Sequence, residues 1–92
     1  MWQLREGVHP VLTEEGGALL DERTGRWTFL TPTAAAALAL LLASDSTEQA
    51  ADRYADRYGI DGQQAAHDLR TVADTLTTSG LLLDHPEPAS RR

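Results

Sequence analysis

Apolar and polar residues change their rhythm near residue 31. Before it, apolar residues come in short runs broken by glycine; after it, they recur at one-turn helical spacing. Val8 to Thr13 is bounded by Gly7 and by Glu14-Glu15-Gly16-Gly17, and Ala18 to Glu22 follows directly. Such runs between turn-forming residues read as strands, with Gly16 and Gly17 marking the first turn. Arg26-Trp27-Thr28-Phe29-Leu30 is rich in β-formers. Arg23-Thr24-Gly25 separates it from the second run, with the glycine taking the left-handed conformation of a three-residue hairpin loop. Three antiparallel strands are predicted.

Thr31-Pro32 starts a helix, because threonine caps the free amides and proline suits the first helical position. The helix runs to about Ala43, with Ala34, Leu38, Leu41 and Leu42 as its apolar stripe. Ser46-Thr47-Glu48-Gln49 has the spacing of a capping box and opens a second helix carrying Ala51, Tyr54, Ala55 and Tyr58. Gly59 ends that helix, and Ile60 is placed to pack back on its last turn. Asp61 with Gln64 repeats the cap for a third helix, in which Ala65, Leu69, Val72 and Leu76 form the stripe and Gly80 the stop. Leu81-Leu82-Leu83 returns to the core, and residues 85–92, with two prolines, form a frayed tail. Strands followed by helices predict an α+β domain over residues 1–84, with three helices on one face of a three-stranded antiparallel sheet.

Composition narrows what such a domain does. Ninety-two residues make one domain with no room for a deep enclosed active site. The absence of cysteine removes disulfides, thiolate nucleophiles and thiolate ligands, and is consistent with a reducing compartment. No apolar run approaches a membrane span and no secretory signal opens the chain, so a cytoplasmic location is expected. His9, His67 and His85 fall in a strand, a helix and the tail, none at a metal-binding spacing. Glu14-Glu15 and Asp21-Glu22 sit at turns and read as solubilising charges rather than an acid/base pair. No nucleophile, base, metal or cofactor site is nominated, and a non-enzymatic binding module is expected.

A hairpin with three helices is also the plan of a winged-helix DNA-binding regulator. The charge of the would-be recognition helix weighs against that alternative: Arg70 stands against Asp61, Asp68 and Asp74, in a chain of net charge −6. Arg53 and Arg57 alternate with Asp52 and Asp56, the pattern of a solvated, self-paired face. A purely structural subunit is the third reading.

The segments Gly17-Ala18-Leu19-Leu20-Asp21-Glu22-Arg23-Thr24-Gly25-Arg26-Trp27 and Leu30-Thr31-Pro32-Thr33-Ala34-Ala35 resemble the strand-turn-strand-helix signature of the PqqD-like family. Ser46 to Ala51, Tyr54 to Asp61, Asp68-Leu69 and Gly80-Leu81-Leu82 fall at that family's spacing too, so the resemblance spans roughly residues 5 to 83. One departure is Thr31, where the family usually has asparagine; both residues cap helices. The resemblance implies a RiPP recognition element: a winged-helix-like domain that binds the leader segment of a ribosomally made precursor peptide. Members of this length resemble the stand-alone elements of lasso-peptide biosynthesis, whose partner is a separate leader peptidase similar to a transglutaminase-like cysteine protease. The family binds the leader as an added strand beside the third strand and against the third helix. Carried over, this puts the contact strand at Arg26, Trp27, Thr28, Phe29 and Leu30, and the groove wall at Asp68, Leu69, Val72, Ala73 and Leu76.

The residues themselves bear on that expectation. In a meander the third strand is an edge, and this one carries no lysine or proline to guard it. Trp27 and Phe29 alternate onto one face, which predicts that at least one of them is core. The stripe of Leu69, Val72 and Leu76 reads as core as well, and Asp68 on its flank is either a solvated charge or an acceptor for a basic or hydroxyl group.

Overall fold

The computed structural model describes residues 2–84, so His85 and the expected tail lie outside the described residues. The elements are β1 (Trp2–Leu4), β2 (Val8–Thr13), β3 (Gly16–Asp21), β4 (Arg26–Leu30), α1 (Pro32–Ala43), α2 (Thr47–Tyr58), α3 (Gly62–Thr78) and β5 (Leu82–Asp84). The three strands expected from sequence are β2, β3 and β4. They form an antiparallel sheet in that order; of the three helices expected on its face only α1 packs directly on it, and α2 and α3 pack on α1 and on each other. Beside it lies a second sheet that the sequence reading did not foresee, in which β1 pairs antiparallel with β5.

The first turn consists of Glu14 and Glu15, not of Gly16 and Gly17, which open β3. The glycines serve close approach instead. A Cβ on Gly16 would lie 2.7 Å from the Leu30 carbonyl oxygen, and one on Gly17 the same distance from that of Val11. The second turn spans the four residues between Asp21 and Arg26, with the Gly25 N–H closing on the Asp21 carbonyl at 2.8 Å.

Each helix starts where its cap predicts. Thr31 Oγ1 accepts from the Ala34 amide at 3.2 Å and Ser46 Oγ from that of Gln49 at 3.1 Å. Asp61 accepts from the Gln63 amide, while Gln64 turns away from the cap and donates to Asp68 Oδ1 at 2.8 Å. Gly59 is left-handed, and Ile60 packs against the core as expected. The arginines of α2 differ from the self-paired pattern. Arg53 donates to the Ala43 carbonyl at the end of α1, and the Arg57 guanidinium lies 5.7 Å above the Tyr58 ring. The core is built from Leu19 of β3, Leu38 and Leu41 of α1, Leu69 of α3 and Leu82 of β5, all fully buried. Each such side chain contributes about 1.5–3 kcal/mol of transfer free energy.

Asp21 is the buried carboxylate of the sheet. It accepts from Arg23 Nη2 at 3.1 Å and Nε at 3.2 Å, and the Arg23 hydrogen bond holds its carboxyl below the usual carboxylate range despite burial. A folded pKa below the unfolded value means that this contact stabilises the protein above the carboxylate range and stops doing so as pH falls through the folded pKa. Asp21→Asn therefore lowers the melting temperature at neutral pH, and its difference from wild type shrinks in melts below about pH 4.

Candidate functional site

Hydrogen-bond parity decides which groups of β4 are free. In an antiparallel pair, residues whose N–H and C=O both point to one neighbour alternate with residues that point to the other. Val8 stands opposite Asp21, and the next residues out are tied by the Glu22 N–H donating to the Gly7 carbonyl at 2.9 Å. Glu22, Leu20, Ala18 and Gly16 thus face β2, whereas Asp21, Leu19 and Gly17 face β4. Pro10, which has no N–H, falls opposite Leu19, where none is needed. On β4 the partners of the inward set are Arg26, Thr28 and Leu30. The main-chain groups of Trp27 and Phe29 therefore point away from the sheet, along its open edge.

The two edges of this sheet are unequal. On β2 the outward residues are Val8, Pro10 and Leu12. The Val8 N–H is taken by the Arg5 carbonyl at 3.0 Å, and Pro10 offers no donor. An edge so blunted resists strand addition, and the β4 edge carries no comparable protection. The side chains of Trp27 and Phe29 cover the outer face beside that edge, 52% and 79% exposed, with ring centroids 6.5 Å apart. The expectation that at least one of them is core is therefore corrected: Thr28 and Leu30 turn toward the helices, and the aromatic pair turns to solvent.

β4 and α3 scarcely approach each other, and the gap between them is a groove. Three hollows follow one another along it. The first, of about 420 Å³, lies between Arg26, Thr28, Ser79 and Leu81. The second, about 170 Å³ and almost wholly apolar, is lined by Leu30, Ala34, Thr71, Val72, Thr75 and Leu76. The third, about 410 Å³, is lined by Thr31, Thr33, Tyr54, His67, Asp68 and Val72 among others.

The residues expected on the groove wall divide by helical position. Val72 and Leu76 line the apolar hollow and Asp68 the third one. Leu69 and Ala73 are 0% and 2% exposed, so they form the core beneath the groove rather than its surface. Thr71 and Thr75 take their place on the wall, one turn apart on the flank of the apolar stripe. They were missed because a stripe search follows apolar residues, and the residues bordering a stripe are those that line a cleft. Tyr54, read from sequence only as part of the α2 stripe, faces the third hollow. Burial, and then Asp68 and Tyr58, raise its hydroxyl pKa, so it stays protonated as a donor. Among the described residues no group of His, Asp or Glu is arranged to hold a metal, and no helix is long and apolar enough to cross a membrane.

Comparison with known proteins adds the family. Residues 16–82 match the family described as Coenzyme PQQ synthesis protein D (PqqD). The chain belongs to the PqqD family. Its fold is similar to that in a structure of lasso peptide synthetase B1 complexed with the leader peptide, with TM-score 0.79 and 28% identity over 90% of this chain and 98% of that one. TbiB1 in complex with the TbiA(beta) leader peptide has the same fold, with TM-score 0.78 and 21% identity over 92% and 99% of the two chains. Curated protein sequences yield no match. The PqqD match begins at Gly16, so it covers β3, β4 and the three helices, the elements that frame the groove.

Proposed function

We propose that this PqqD-family chain is a non-catalytic, cytoplasmic RiPP recognition element. It binds the leader segment of a ribosomally made precursor peptide, adding it as a strand beside β4 and against α3. It then presents the precursor to a separate leader peptidase, a transglutaminase-like cysteine protease, during lasso-type peptide maturation. The observation that carries this reading is the unguarded β4 edge, with the Trp27 and Phe29 main chain open beside an apolar hollow. The similar lasso peptide synthetase B1, complexed with its leader peptide, supports it. The regulator reading has less behind it, since α3 offers Arg70 against Asp68 and Asp74 and would set carboxylates against phosphates.

The adaptor works by raising the effective concentration of the precursor at the peptidase. Incubated alone with a lasso-type precursor peptide that it binds, the protein leaves the peptide mass unchanged. Added with the peptidase at precursor concentrations below saturation, it raises the cleavage rate at least tenfold, followed by mass spectrometry. Equal cleavage rates with and without it remove the adaptor role.

A further inference from the structure

The two ends of the groove differ in charge, and the difference comes from residues the fold brings together from far apart in sequence. At the end near the start of β4, Arg26 lines the first hollow and makes no side-chain hydrogen bond or ion pair among the described residues. Arg23 lines the same hollow from its pairing with Asp21. Arg5 reaches the corner from the segment after β1: its Nη1 would lie 3.8 Å from a Cβ on Gly80, and its charge acts on Asp21. Two guanidinium groups thus line the first hollow with one carboxylate, and a third acts on that carboxylate from beside Gly80, in a chain of net charge −6. Glu6 and Glu22 lie in a separate hollow on the other side of Arg23, where Glu22 bonds His9.

The opposite end is lined mainly by oxygen-bearing side chains, with His67 beside them and Asp68 as its one carboxylate. Asp68 accepts one hydrogen bond, from Gln64, which leaves acceptor capacity directed at the hollow. Tyr54 is 5% exposed, its hydroxyl has no hydrogen-bond partner among the described residues, and it lines the same hollow as Thr31, Thr33 and Thr71. The ring is packed and the hydroxyl opens on the hollow, a donor held in place where a polar ligand group can meet it. No charged side chain lines the apolar hollow between the two ends.

The two walls agree on length. From Arg26 to Leu30 an extended chain rises about 13 Å, and from Asp68 to Ser79 a helix rises about 16 Å. We propose that the groove selects its peptide by charge as well as shape. An acidic side chain sits at the corner of Arg5, Arg23 and Arg26, and a basic one at Asp68 and Tyr54, roughly four to six residues apart in the bound strand. This rests on the peptide-binding reading of the groove and adds the chemistry that sets its specificity.

Selection from a random-peptide display library tests it, using the whole chain as wild type, Arg26→Glu, Asp68→Lys and Val72→Asp, each checked for folding by circular dichroism. Wild type enriches peptides holding an acid and a base at that spacing about three- to fivefold over their library frequency, the scale of a half-exposed ion pair. Arg26→Glu exchanges the acidic preference for a basic one and keeps the other, and Asp68→Lys does the converse. Identical charge preferences from wild type, Arg26→Glu and Asp68→Lys overturn the proposal while leaving the groove in place. If Val72→Asp enriches the same peptides as wild type, the peptides bind elsewhere, and both the groove reading and its charge code fall.

Discussion

Trp27→Pro gives a protein that melts cooperatively close to wild type and has lost at least tenfold in leader affinity, whereas Thr28→Pro is the variant that melts early. The difference follows from hydrogen-bond parity. Trp27 turns its N–H to the open edge, so proline there deletes a donor that only an added strand uses and puts a ring in that strand's path. Thr28 faces Leu19, and proline there removes a bond of the sheet itself. At about 1–3 kcal/mol for a carbonyl left without its donor, that loss lowers the Tm by roughly 4–24 °C in a domain of this size. Trp27→Ala separates side chain from backbone: it keeps the donor and removes the aromatic ring. Calorimetric melts and leader titrations of the three variants make the comparison. Leader binding that survives both prolines in folded protein rules out β4 as the docking strand.

Val72→Asp has the second large effect, a fall in leader affinity of about thirtyfold or more. A disordered peptide gives up roughly 2–5 kcal/mol in ordering, and backbone pairing alone recovers only about 0.5–1.5 kcal/mol per hydrogen bond. Apolar anchors must supply the remainder, and the hollow floored by Val72 and Leu76 is where the groove can take one. A carboxylate at its lip has to be desolvated when the anchor enters. Val72 is half-buried, so the variant keeps its helical spectrum. Leu76, 3% exposed, is unsuited to the same test, because aspartate there would sit in the core. Isothermal titration with the leader peptide reads the effect, and wild-type affinity in Val72→Asp moves the binding site away from this groove.

Features of the fold set by neighbouring residues were legible in the sequence, and features set by distant ones were not. Helix starts were legible because Thr31, Ser46 and Asp61 bond amides two or three residues on. The β2–β3–β4 order was legible because turns of two and four residues admit little else. β1 was not. Trp2-Gln3-Leu4 has no pattern of its own and becomes a strand only through residues at the other end of the chain. The aromatic pair misled for a related reason: alternation says that Trp27 and Phe29 share a face, and only the neighbours of β4 say which face is covered. Similarly, the apolar stripe of α3 located the groove, while Leu69 and Ala73 fell on its inner side. The charged ends lay beyond any local reading, since the charge of Arg5 reaches Asp21 only through the fold.

The pairing of β1 with β5 also imposes an order of events on a chain made from its N-terminus. Trp2 lies opposite Asp84, and Leu4 opposite Leu82. The β2–β3–β4 hairpins and the helices can associate as they emerge, through contacts close in sequence that form quickly. β1 has no partner until the residues of β5 have been synthesised, so the first strand made is the last one paired. In the finished fold the Trp2 indole Nε1 donates to Thr47 Oγ1 at 3.0 Å, which ties β1 to the start of α2 as well as to β5. The corner that Arg5 shares with Gly80 and Leu81 is likewise assembled only once those residues have been made, so this arginine takes its place beside Asp21 after β2, β3 and β4 have paired.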